Sequence, residues 1–329
     1  MPNSISSSGT SAILGPHKRL AGAASKERFA CQLFDTLWER YRQRVSYVQT
    51  YEQVVSSAGA TFFNDHIAFR TIGCERPAVG IHSLSRIFEA LGYVAAGSYV
   101  FTDKHLAATH FQHPNSQFPK IFISELRLWE LPRPAREIIQ RLLDSHREPI
   151  SDESLATLFD LEHTDVGHGD IDAWERLMEV VISHFQDLPW DAPTHSDVVA
   201  MNKISQYGAW VMVHGYNVNH FTSLINSHGV EGLNDIEKTI TALEKAGVPM
   251  KKEIEGERGS KLRQTATEAV NIPVEMMADG KRSKLPWSYA YFELAQRDNV
   301  IDPVSGKPTR FEGFLGPQAT NLFEMTRVK

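Results

Sequence analysis

The sequence predicts an α+β protein of two βαβββ modules that join into one curved mixed sheet, with N-terminal helices and a helical insertion between the modules. Three observations carry this. The order strand, helix, strands occurs twice along the chain. Each first strand carries a histidine, His66 or His220. From that histidine to the glycine that ends the next helix is 26 residues in one block (66 to 92) and 27 in the other (220 to 247).

Composition narrows the function classes. The chain has 329 residues and 42% hydrophobic content, enough for one large domain or two compact halves. Net charge is -6, from 34 basic and 40 acidic residues. With no sizeable basic run, nucleic acid and anionic membrane are not expected partners. No apolar run approaches the roughly 20 residues of a membrane span. The two cysteines, Cys31 and Cys74, have no metal-like spacing and fit free thiols in a reducing compartment. Residues 1–25 are rich in Ser, Gly and Ala and read as a disordered tail on a cytoplasmic protein. A Ser-rich, acid-poor start is also the composition of a transit peptide, which would place the protein in an organellar matrix.

Residues 26–130 read as an N-terminal helix and the first module. "RFACQLFDTLWERYRQRV" has helical spacing and is expected to pack on the outside. "NDHIAFRTIG" is the first strand. The helix "GIHSLSRIFEALGY" places Leu84, Ile87, Phe88 and Leu91 on one side and stops at Gly92. "AAGSYVFTD", "LAATHFQHP" and "PKIFISELRL" complete the module. Residues 131–200 read as the insertion, with amphipathic helices in "PAREIIQRLLDSH" and "DAWERLMEVVISHFQ". Residues 201–329 read as the second module and a closing segment. Its strand is "YNVNHFTSLI", and its helix "GLNDIEKTITALEKAGV" has Ile236, Ile240 and Leu243 on one face. "LRQTATEAVNI" and "PWSYAYFELAQRD" are its later strands.

The strands carry misplaced polarity. Alternation puts His66, Ala68 and Arg70 on one face of the first strand. Each closing strand carries a carboxylate among apolar neighbours, Glu125 in "FISEL" and Glu293 in "YFELA". A buried carboxylate is costly unless something neutralises it, and a divalent metal would. Two histidines and one carboxylate make the facial triad of non-haem Fe(II) oxygenases, although Zn(II) or Mn(II) suits the same ligands. The alternative is that His66 and His220 are ordinary strand histidines among 14 in the chain. His82, His105, His110 and His113 cluster loosely, and "HTDVGHGD" (His163 to Asp170) reads as a solvated loop.

Taken together, "NDHIAFRTI", "NVNHFTSLI", "YFELAQR" and "FEGFLGPQATNLFE" resemble the 2-oxoadipate dioxygenase/decarboxylase family, from about Phe29 to the C-terminus. The resemblance implies a vicinal oxygen chelate-like fold. It implies Fe(II) as cofactor, and 2-oxoadipate and O₂ as small-molecule partners. The implied products are CO₂ and D-2-hydroxyglutarate, a step of lysine catabolism. On this chain the family's metal ligands fall on His66, His220 and Glu293, and its substrate-binding arginine on Arg70. Glu125 is then left as the module-one counterpart of Glu293. Arg70 can grip a carboxylate through two parallel hydrogen bonds, or be held in an ion pair with Asp65 or Glu125. Phe314, Leu315, Gln318 and Asn321 are candidates to cover the substrate, with Gly313, Gly316 and Pro317 as the bend, or else to form a docked C-terminal helix. The alternative activity is a glyoxalase-type lyase or isomerase that uses a metal without O₂, with Glu125 as a possible fourth ligand.

Overall fold

The computed structural model describes residues 16–20, 24–148 and 150–315. Two helices, α1 (Ser25–Arg44) and α2 (Tyr47–Ser57), precede the first module. That module runs β1 (Asn64–Gly73), α3 (Ile81–Ala90), β2 (Val94–Phe101), β3 (Leu106–Gln112) and β4 (Lys120–Arg127). Six helices follow: α4 (Arg133–Leu143), α5 (Asp152–Phe159), α6 (Asp165–His168), α7 (Ile171–His184), α8 (His195–Ile204) and α9 (Gln206–His214). The second module holds β5 (Val218–Leu224), α10 (Ile236–Lys245), β6 (Leu262–Ala266), β7 (Asn271–Ala278), β8 (Lys281–Ser288) and β9 (Glu293–Arg297). A small pair, β10 (Asn299–Ile301) and β11 (Pro308–Arg310), ends the described chain. Among the described residues no helix is long and apolar enough to cross a membrane.

Seven strands form one curled sheet in the order β2-β3-β4-β1-β5-β9-β6. β1 and β5 meet antiparallel at its centre and join the modules. There His66 pairs with Thr222, Ala68 with His220, and Ile67 with Phe221. Exchanging the two histidines exchanges the first two pairings, so a local two-fold axis passes between Ile67 and Phe221. β1 is buried along its whole length, because both sheet faces are covered. Behind the sheet, Phe221 is wedged under Trp38 and Tyr41 of α1, with ring centroids 5.0 and 5.1 Å away. Phe69 packs on Phe88 of α3 and Phe185 after α7. α3 ends as expected, with Gly92 at φ +95°.

Several expectations change. The second module is not a plain βαβββ unit. Its outer strand is reduced to isolated bridges, Met250 to Thr267 and Glu255 to Gln264, and β7 and β8 form a separate hairpin inserted before β9. "LRQTATEAVNI" and "PWSYAYFELAQRD" are therefore each split between the main sheet and that hairpin. The helical stretch runs beyond residue 200 to His214. α9 escaped the periodicity argument because Tyr207 to His214 are all buried, which leaves no polar face to alternate with. Part of the stretch read as a tail is packed. His17 is buried, with Nδ1 2.8 Å from Asp35 Oδ1 and Nε2 accepting from Asn64 Nδ2 at 3.1 Å. "HTDVGHGD" is no free loop either. It contains α6 and packs on the start of α1, where Ser25 Oγ donates to the Gly167 carbonyl at 2.9 Å.

The strand register also corrects the place of Glu125. Ala68 faces Phe122 across β1 and β4, and Thr222 faces Glu293 across β5 and β9. Ala68 and Thr222 each follow their histidine by two residues, so Phe122, not Glu125, stands where Glu293 stands. Glu125 lies three residues further on, at the place of Gln296. Both do the same work. Glu125 Oε2 accepts from the Ile81 N–H at the start of α3 (2.8 Å), and Gln296 Oε1 from the Ile236 N–H at the start of α10 (2.9 Å). Gly80 makes the first contact possible, since a Cβ there would lie 2.6 Å from Glu125 Oε2. Glu125→Gln is therefore expected to leave stability and metal binding nearly unchanged. Glu125→Ala is expected to cost about 1 kcal/mol in urea unfolding, the worth of one helix-cap acceptor. Loss of metal binding in Glu125→Gln would contradict the assignment.

Candidate metal centre

The central pairing of β1 and β5 brings His66 and His220 onto one face, and β9, hydrogen-bonded to β5, starts with Glu293 beside them. One candidate ligand atom from each of the three residues lies within 4.8 Å of the other two, and each carboxylate oxygen of Glu293 faces one imidazole. Nε2 of His66 is 3.3 Å from Nε2 of His220. Glu293 Oε1 is 3.5 Å from Nε2 of His66, and Oε2 is 3.5 Å from Nε2 of His220. Ligands about 2.1 Å from a shared ion are separated by about 3.0 Å at a right angle and about 3.4 Å at a tetrahedral angle. Among the described residues this is the one group of His, Cys, Asp and Glu side chains with such convergence.

Each imidazole is turned the right way. Nδ1 of His66 donates to Asp65 Oδ2 at 2.9 Å, and Nδ1 of His220 to Asn219 Oδ1 at 3.0 Å. A proton held on Nδ1 leaves Nε2 carrying the lone pair, on the side where the three residues converge. Sequence reasoning missed both orienting residues, although the residue before each histidine, Asp or Asn, was the available signal. Thr222 Oγ1 lies 3.0 Å from Nε2 of His66, and Gln264 Nε2 donates to Glu293 Oε1 at 2.6 Å.

The donor set fits a divalent cation. Burial disfavours the charged form of all three groups. It pushes the His220 imidazole well down, with His66 and Arg70 adding to the effect, and pushes His66 down against the pull of Asp65. It pushes the Glu293 carboxyl well up, with the Glu255 charge next in weight. Glu293 is fully buried, and its Oε2 has no hydrogen-bond partner among the described residues. An orphaned carboxylate oxygen costs several kcal/mol in such a place unless a cation meets it. Neutral imidazoles and a carboxylate are what such a cation takes.

The triangle opens on a cavity lined by Arg70, Phe101, Phe122, Ser124, Asn219, Gln264, Tyr291, Phe314 and Leu315. Arg70 is buried on the face of β1 that carries His66. Its guanidinium lies 4.9 Å from the ring of Tyr207 and 5.2 Å from that of Trp210, both on α9. Burial lowers its pKa, opposed by Tyr291 and Tyr207. Neither acid suggested as its ion-pair partner is turned to it: Asp65 is held by Arg297 and Glu125 caps α3. Phe314 stands edge-on to His66, centroids 4.9 Å apart. Gly316, Pro317, Gln318 and Asn321 lie outside the described residues.

The family profile described as 2-oxoadipate dioxygenase/decarboxylase matches residues 33–307. The chain belongs to this family. A 2-oxoadipate dioxygenase/decarboxylase of rice (Oryza sativa subsp. japonica), named chloroplastic/amyloplastic, is 28% identical over 293 residues, 84% of this chain and 72% of that protein. The chloroplastic enzyme of the same name from Arabidopsis thaliana is 27% identical over 281 residues, 80% of this chain and 67% of that one. Among solved structures, the Oryza sativa hydroxyglutarate synthase in complex with 2-oxoadipate superposes with a TM-score of 0.70 at 25% identity, covering 92% of this chain and 93% of that one. A glyoxalase-superfamily protein from Ralstonia eutropha JMP134 gives 0.76 at 20% identity over 89% and 88% of the two chains, and shows the shared fold. The 2-oxoadipate dioxygenase/decarboxylase fold is thus a vicinal oxygen chelate-like half-barrel in this chain.

Metal binding here should be visible as stability. Co(II) at 100 times its dissociation constant is expected to raise the unfolding free energy by about 2.7 kcal/mol. His220→Ala and Glu293→Gln should lose that increment. Glu293→Gln should also raise the stability of the metal-free protein, because an amide is cheaper to bury than a carboxylate. Urea unfolding with and without Co(II) measures both. A wild-type increment in His220→Ala would place the ion elsewhere.

Proposed function

We propose that the protein is a non-haem Fe(II) dioxygenase/decarboxylase that converts 2-oxoadipate and O₂ to D-2-hydroxyglutarate and CO₂. The observation that carries this reading is the His66–His220–Glu293 triangle facing Arg70 across one buried cavity. The match of the chain to relatives named for this reaction, and to a structure holding 2-oxoadipate, supports the choice of substrate.

His66, His220 and Glu293 would hold Fe(II) on one side. Bound there, the ion would supply a chelating site for the 2-oxo acid and activation of O₂. The overall change balances without another reductant. C1 leaves as CO₂, the former keto carbon becomes a carboxylate with one oxygen atom of O₂, and its neighbour becomes an alcohol with the other. The substrate supplies all four electrons.

The chain's own groups supply position. Arg70 sits two alternate residues along β1 from His66, about 13 Å between Cα atoms, which leaves room for a short dicarboxylate once both side chains are counted. Its guanidinium can take the distal carboxylate through paired hydrogen bonds, while Tyr207 and Trp210 keep it from swinging away. Gripping that end fixes which carbon lies next to the metal, so chain length would control turnover as well as binding. Phe101, Phe122, Phe314 and Leu315 make the walls apolar and restrict water. The O₂-independent lyase or isomerase reading loses its proposed fourth ligand, since Phe122 fills the place opposite Glu293.

With ¹⁸O₂, the product is expected to carry one labelled atom in the hydroxyl and one in the new carboxylate. Turnover under nitrogen would overturn the reading. Arg70→Ala is expected to lower kcat/KM for 2-oxoadipate by about 100-fold, the worth of a lost charged hydrogen-bond pair. A monocarboxylic 2-oxo acid should lose less than about tenfold by the same reasoning, and equal losses would remove Arg70 from the distal carboxylate.

A further inference from the structure

Arg297, at the end of β9, hydrogen-bonds to two parts of the site at once. Its Nε and Nη2 donate to Oδ1 and Oδ2 of Asp65 at 2.6 and 2.8 Å. Asp65 Oδ2 is also the acceptor that orients His66. On its other side, Nη1 of Arg297 donates to the carbonyl oxygens of Phe311 (3.0 Å) and Gly313 (2.6 Å). The guanidinium then lies 5.2 Å over the ring of Phe314, the residue set edge-on to His66. Both Arg297 and Asp65 are fully buried.

The segment from Phe311 to Leu315, here called the strap, ends on the cavity, which Phe314 and Leu315 line. Glu312 pairs with Arg310 at 2.7 Å and with Lys120 of β4. The Phe314 N–H donates to the hydroxyl of Tyr99 at 3.1 Å. All of these anchors are polar, and Arg297 is the one that also hydrogen-bonds to the residue orienting His66.

A buried ion pair is a weak source of stability, because desolvation offsets most of the attraction. Orienting a histidine does not require one. The second module does that work with Asn219, a neutral amide. What Asp65 and Arg297 add is the grip on the strap. We infer that Arg297 is a positioning residue that couples docking of the strap Phe311–Leu315 to occupancy of the metal centre. Metal drawn to His66 holds its ring, Asp65 and Arg297 in one arrangement, and that arrangement presents Nη1 to the strap carbonyls. Coupling of this kind is reciprocal, so the docked strap raises metal affinity by the factor with which metal favours docking. The inference rests on the metal reading proposed above.

The test uses the full chain and Co(II) as a redox-inert probe, with backbone hydrogen exchange over residues 308–315 and the Co(II) dissociation constant as readouts. In the wild type, Co(II) is expected to slow strap exchange about tenfold, the worth of one charged hydrogen bond. The double variant Asp65→Asn/Arg297→Gln removes both charges together and keeps an acceptor for His66. Its strap should exchange fast and ignore Co(II), and its Co(II) affinity should fall by a similar factor of about ten. Glu312→Gln loosens the strap and leaves the hydrogen bonds between Asp65 and Arg297 in place, and should lose several-fold in both readouts even if the double variant fails to fold. Wild-type protein that binds Co(II) with no change in strap exchange would overturn the coupling and leave the metal reading intact. So would wild-type strap protection and affinity in the variants. Wild-type protein that binds no Co(II) would overturn both.

Discussion

A fully buried carboxylate with one oxygen left bare is the constraint on which the rest of this structure turns. Glu293 lies at the start of β9 with two imidazoles 3.5 Å away, and Gln264 donates a hydrogen bond to its Oε1. No fold keeps such a group for stability alone. Everything nearby is arranged so that a cation can meet it. Neighbouring side chains turn both histidines, both sheet faces are closed by helices, and α9 seals the cavity with aromatic rings.

The local two-fold axis sorts scaffold from chemistry. Two pairs keep the symmetry: His66 with His220, which converge as candidate ligands, and Glu125 with Gln296 at the helix starts. Pairs that break it carry the asymmetry a reaction needs. Glu293 is matched by Phe122, which leaves three candidate ligands and an apolar wall. Arg70 is matched by Leu224, so one end of the cavity alone is cationic. Asp65 is matched by Asn219, so one histidine alone is tied to an ion pair and through it to the segment Phe311–Leu315. A duplicated module thus supplies the frame, and its mismatches make the pocket directional.

Much of this was legible in the chain. The repeated order of strand, helix and strands was readable because a two-residue period and a helical period alternate visibly in "NDHIAFRTIG" and "GIHSLSRIFEALGY". The two histidines at matching places followed from it. Glu125 was misplaced because the letters of "FISEL" and "YFELA" look alike, whereas equivalence depends on which residue pairs with Ala68 or Thr222, and register is not written in one strand. α9 was invisible because burial on all sides removes periodicity. The contact of Asp65 with Arg297 spans 232 residues, and no local pattern reports it.

The account stands on three side chains from two modules sharing one ion. Anomalous diffraction from crystals of the protein loaded with one equivalent of Co(II) tests that most directly. The account predicts a single strong peak in contact with Nε2 of His66, Nε2 of His220 and the carboxylate of Glu293, with Phe122 and Arg70 on the open side. A peak at Glu125, at His110 or in "HTDVGHGD", with the triangle empty, would contradict it.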